Sequence, residues 1–122
     1  MMRLSPLGKT WIFDLDGLLV PHNGYHSGPE QLLPGVAEFF AKIAPDDTTI
    51  LLSARDASLR GTSLTFLAEA GIRIDHAIFG VPHGERILFN DKKPSGLVTA
   101  HAINLPRDEG LHGVEFVSDP AL

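Results

Sequence analysis

Two carboxylates stand one residue apart in Asp14-Leu15-Asp16-Gly17, directly after the apolar run Trp11-Ile12-Phe13. Alternate residues of a strand share a face, and a bend at Gly17 would carry Asp16 over the strand's carboxyl end, so both acids crowd one small space. Like charges brought together repel and each loses hydration, so a bound divalent cation is the natural compensation. Magnesium suits a set of oxygen ligands that still leaves room for water and an anionic group. The plainer reading is that Asp14 and Asp16 cap a turn at the strand end.

Three further segments carry chemistry. Ile50-Leu51-Leu52-Ser53-Ala54-Arg55 is a β-favouring run that ends on a hydroxyl and a guanidinium. Ser53 could hydrogen-bond an anion where the following helix begins, or simply cap that helix. Arg55 could clasp a phosphate or carboxylate with its planar fork, or pair with Asp56 or Glu30. Ile87-Leu88-Phe89-Asn90-Asp91 is a second apolar run ending on an acid, with Asn90-Asp91 open to a turn role as well. His22, Tyr25 and His26 lie in the Gly- and Pro-rich stretch Gly17 to Pro34, which reads as a long loop able to cover a site. His83, His101 and His112 are too scattered for a histidine metal site.

The elements that must position these residues follow from periodicity. Trp11 to Asp16 reads as a strand of the kind buried on both faces, and Thr48 to Ser53 as a second β-branched, apolar run. Val36, Phe39, Phe40 and Ile43 recur at helical spacing between Pro34-Gly35 and Pro45; Leu59, Leu64, Leu67 and Ala68 do so over Ser58 to Ala70, with Gly71 as the stop. Strand, helix, strand, helix implies parallel pairing. Ile74 to Phe79 and Arg86 to Phe89 look like two more strands, but six residues between them are too few for a parallel crossover. We therefore expect Ile74 to Phe79 to be short, or at the sheet edge in another direction. Arg86 to Phe89 is expected parallel to the first strand, bringing Asn90 and Asp91 beside Asp14. Ser95 to Ala100 reads as a short helix, Ala102 to Leu105 as a short strand, and Gly113 to Val117 as a last strand or a tail.

Trp11 to Gly17, Ile50 to Arg55 and Ile87 to Asp91 resemble, in order and spacing, the first, second and fourth motifs of the haloacid dehalogenase superfamily, which is dominated by phosphatases. The resemblance implies an α/β fold, a single Rossmann-like three-layer domain over residues 1–122 with a mostly parallel sheet and its site at the carboxyl edge. It implies Asp14 as nucleophile on phosphorus, Asp16 as general acid and base, and Mg²⁺ held by Asp14, the Asp16 carbonyl and Asp91 with Asn90 as accessory. Gly17, Ser53, Ala54 and Arg55 would meet the substrate. The third-motif Lys is missing: Val81 stands in its place, so Lys92, then Arg86 or His83, must supply the positive charge. Leu18 also stands where Thr is commonest. No insertion is long enough for a cap domain, so the site is expected to be open, which fits either a bulky substrate or a homo-oligomer whose neighbouring subunit covers it. Pro94 to Leu97 and the tail Gly113 to Leu122 could serve as partner surfaces.

Composition narrows the alternatives. With 43% hydrophobic and 20% charged residues in 122, the chain is expected to fold as one soluble domain. It has no cysteine, hence neither disulfide nor thiolate metal site. A formal charge of -5 and the lack of a basic, aromatic-interleaved cluster argue against nucleic acid. No apolar run approaches a membrane span and no signal core is seen, so a cytoplasmic location is expected. The reading is thus a phosphatase acting on a sugar phosphate or similar small phosphorylated metabolite. Its rivals are an attenuated phosphate-binding or assembly module and a receiver-type phospho-accepting domain, although receivers carry their acidic pair after the first strand and the phosphorylated Asp later.

Overall fold

The computed structural model describes all residues 1–122. Its elements are β1 (Met2–Leu4), β2 (Thr10–Asp14), α1 (Val36–Ala41), β3 (Thr48–Leu52), α2 (Arg60–Glu69), β4 (His76–Ile78) and β5 (Phe116–Ser118), with 3-10 turns at Gly24–His26 and Ala57–Leu59. This is a mixed α/β protein whose strands all pair in parallel.

The main sheet has the order β2-β3-β4, with Thr10 to Asp14 in register with Thr48 to Leu52, and Ile50 to Leu52 in register with His76 to Ile78. The segment expected at Ile74 to Phe79 is short, as expected; it lies at the edge but runs parallel to β3, not in another direction. Its connection is α2, long enough for a parallel crossover.

One face of this sheet, carrying Trp11, Phe13, Thr49, Leu51 and Ala77, turns toward the core. Phe13 and Leu51 are buried there, and α1 brings Val36, Phe39 and Phe40 to the same cluster. Edge-to-face contacts join Trp11 and Phe13 to Phe39, at centroid distances of 5.6 and 6.1 Å. Such pairs add to the gain from burying the rings. Leu67 of α2 and Ile72 complete the cluster. The opposite face behaves differently: Ile12, Ile50, Leu52 and Ile78 share it by register, and none belongs to the core or packs against it.

At the amino ends, Asp47 is buried and accepts hydrogen bonds from the Lys9 amide and the Trp11 indole, each 3.0 Å long. Burial alone would raise its pKa, but these bonds and the charges of Lys9 and Arg73 outweigh that and lower it.

Two elements depart from expectation. Met2–Leu4, too short to show a period, pairs with Phe116–Ser118 in a separate two-stranded sheet, and Phe116 packs on Trp11 at 4.9 Å. Residues 82–105 hold neither the strands expected at Arg86 to Phe89 and Ala102 to Leu105 nor the helix expected at Ser95 to Ala100. Gly96, at φ 86, breaks that helix, and no backbone hydrogen bond joins 82–105 to the rest of the chain. A strand exists only with a ladder partner. The segment is instead an arm, turned at Lys93 to Gly96 and pinned across by Asn90 Nδ2 donating to Thr99 Oγ1 at 3.0 Å.

No helix is long and apolar enough to cross a membrane.

Candidate functional site

β2 ends on Asp14, and the chain then turns at once. The Leu15 carbonyl accepts from the amides of Leu18, Leu19 and Val20, and the Gly17 amide donates to Val20. Leu15, Leu19 and Val20 are buried, so the apolar residues around the acidic pair anchor the turn while the acids stay at the sheet's carboxyl edge. Gly17, at φ 86, adopts the left-handed backbone the bend requires.

The two carboxylates then meet different surroundings. Asp14 is 53% exposed; one oxygen accepts from the Leu15 amide at 2.9 Å, and Arg86 Nη2 lies 3.8 Å from it. Asp16 is mostly buried and held at both oxygens by Arg55, Nε to Oδ2 at 2.9 Å and Nη2 to Oδ1 at 2.8 Å.

Arg55 is the hub of the site. Its side chain is 3% exposed and also reaches Glu30 through Nη2 and the Ser63 hydroxyl through Nη1 at 2.9 Å. Its guanidinium lies 4.2 Å over the Tyr25 ring. Burial by itself would push the Arg55 pKa down; hydrogen bonds and charges from Asp16 and Glu30 overcome this and raise it above the ordinary arginine value. The guanidinium is a permanent cation neutralised by two carboxylates. Of the two readings open for Arg55, pairing with Glu30 is present, and Asp16 joins it.

Ser53 is buried, and its Oγ accepts from the Arg55 amide at 3.1 Å. Capping falls instead to Asp56, whose carboxylate accepts from Ser58 at the start of the 3-10 turn leading into α2. Ala54 lies half-buried between them.

Asn90, Asp91 and Lys92 sit exposed on the arm. No hydrogen bond or ion pair joins Asp91 to Asp14 or Asp16. Of the cations weighed for the missing Lys, Arg86 is the one paired with Asp14.

The loop between β2 and α1 encloses an open cleft of about 390 Å³ bordered by Tyr25, Pro29 and Glu30. Asp14 and Asp16 lie outside its lining. Tyr25 and Glu30 thus link the cleft to Arg55, and Tyr25 stacks on His26 at 4.1 Å. The His22 amide donates to Asp108 Oδ1 at 2.7 Å, and the Asp108 amide donates to the Gly17 carbonyl. The role of Ser63 was not apparent in the sequence. Its one signal is general, since a buried arginine needs its donors satisfied and a hydroxyl in the next helix can do so.

The chain is therefore defined as a parallel-stranded α/β protein with an acidic pair at the carboxyl edge, one acid accessible and one clamped by a buried arginine. Comparison with protein-family models, with curated proteins and with solved structures finds no match.

Proposed function

We propose that this protein is a Mg²⁺-dependent phosphatase of the haloacid dehalogenase type, acting on a small phosphorylated metabolite through an aspartyl-phosphate on Asp14. The observation that carries the reading is the division between the two acids: Asp14 is accessible at the end of β2, while Asp16, two residues on, is fixed by Arg55. A Rossmann-like arrangement is part of the same reading, with helices on one face of the sheet and the other face bare in place of the third layer. It is supported by the parallel order β2-β3-β4 and by an acidic site at the carboxyl ends of the strands, where ligands bind in open α/β sheets.

In the first step an Asp14 carboxylate oxygen attacks phosphorus, the bond from phosphorus to the leaving oxygen breaks, and Asp16, which enters this step in its protonated form, delivers its proton to that oxygen and is left as the carboxylate. In the second, Asp16 takes a proton from water as the water oxygen attacks phosphorus, freeing Asp14 and inorganic phosphate. Splitting one displacement into two lowers the barrier of each. Arg55 keeps Asp16 in place, and Arg86 offsets charge beside Asp14.

Asp14 and the Asp16 carbonyl, which accepts no backbone hydrogen bond, fit two positions around Mg²⁺. Asp91, with Asn90, would supply the remaining protein oxygen. Bound there, the ion would neutralise phosphate charge.

Hydrolysis of an aryl phosphate, measured with Mg²⁺ and with chelator, tests the reading. Activity is expected only with the metal and should vanish in Asp14→Asn. Equal turnover by Asp14→Asn and the natural chain would remove the nucleophile, and a metal-binding but inert natural chain would favour the phosphate-binding module.

A further inference from the structure

Two apolar surfaces of this protein face solvent without covering one another. The first is the outer face of the main sheet, where Ile12 and Ile78 are 53% and 54% exposed and flank Ile50 and Leu52 in register. Parallel sheets are normally covered on both faces. The second is the arm, where Ile87 is 77% and Phe89 91% exposed and Leu88, Val98 and Ile103 also face water. We propose that the outer sheet face is the docking surface for the 82–105 arm of a second copy of this chain, exchanged reciprocally in a two-fold dimer.

Area supports that occupant. The protein exposes 8108 Å². A compact monomer of 13.2 kDa exposes about 6,400 Å². The excess of about 1,700 Å² per chain, about 3,400 Å² over a pair, falls in the range that obligate dimers remove from water, about 2,000–5,000 Å² in total. Reciprocal exchange is the self-complementary arrangement a two-fold dimer requires, because each chain offers one arm and one face.

Charge supports it as well. The arm carries Arg86, Lys92 and Lys93 against Glu85 and Asp91, so it is net basic in a chain whose formal charge is -5. Asp14 lies on the outer face beside Leu52 and would meet that basic arm. Both roots of the arm are fixed. The Val81 amide donates to the Ser53 carbonyl and the Asp108 amide to the Gly17 carbonyl, while everything between them makes no backbone bond to the body. Within one chain the arm meets the outer face only through Arg86, 3.8 Å from Asp14, and the apolar parts of both surfaces stay uncovered. This dimer does not depend on the proposed reaction, and either could fail without the other.

The natural chain should sediment at twice 13.2 kDa at tens of micromolar. Phe89→Asp on the arm and Ile78→Asp on the face alter exposed side chains, so both should keep the circular dichroism of the natural chain and sediment as monomers. A chain without cysteine permits a direct check. Phe89→Cys and Ile78→Cys chains, mixed and oxidised, should form a disulfide-linked heterodimer in yields well above either chain alone. A monomeric natural chain overturns the proposal, as does a dimer that survives both Asp substitutions. So does a Phe89→Cys, Ile78→Cys double variant that closes within one chain, since the arm would then cover its own face.

Discussion

Arg55 is 3% exposed and engages Asp16 twice, Glu30 and Ser63, so four of its five N–H donors are occupied within the protein. Deleting it leaves two carboxylates facing each other without a cation, and breaking a buried pair in this way costs about 3–5 kcal/mol. Arg55→Ala should lower the free energy of urea unfolding by that amount. Arg55→Lys keeps the charge but loses the fork that grips both Asp16 oxygens. If Arg55 positions Asp16, the Lys variant lowers kcat and leaves KM nearly unchanged; if it clasped substrate phosphate, KM would rise instead. The sequence alone left these two roles open, because an Arg after a strand-end Ser looks the same in both. Only the loop that returns Tyr25 and Glu30 onto it distinguishes them, and such a return has no local signature.

At the scale of elements, α1 is held against β2 by the turn that precedes it. Gly35 caps α1 at φ 79, and a Cβ there would sit 2.4 Å from the His112 amide nitrogen. Gly35→Ala combines left-handed strain with a backbone clash and should cost about 3 kcal/mol, read from thermal or urea unfolding. Gly71→Ala, at φ 80 with open space around it, should cost only about 1 kcal/mol. Equal losses would mean that the contact between the Leu111–His112 turn and α1 bears no weight. The elements legible in the sequence were those with enough residues to show a period: β2, β3, α1 and α2 fall where the apolar spacing puts them. β1 and β5 were not both legible, since a three-residue strand has no period and its partner lies more than a hundred residues away. Ile87 to Phe89 failed in the opposite sense. Its residues favour a strand, but strand formation depends on a neighbour's hydrogen bonds, which residue preference cannot supply.

At the scale of the molecule, stability is unevenly distributed. Thirteen buried hydrophobic residues form one cluster, while 82–104 contributes no buried side chain and no backbone hydrogen bond to the body. Segments of that kind open at little cost and are cut first by proteases. Trypsin should therefore cleave first within the arm, after Arg86 or Lys92, since the bond after Lys93 is shielded by Pro94 and Arg55 is buried. The rate of that first cut carries further information. An arm that stays in solvent is cut at a rate per molecule independent of protein concentration. An arm seated on the sheet face of a second chain is released only on dissociation, so the cut should slow as the concentration rises, and Phe89→Asp should restore the fast rate at every concentration. Mass spectrometry of the first fragments, across a dilution series, reads both the site of cleavage and its dependence on association.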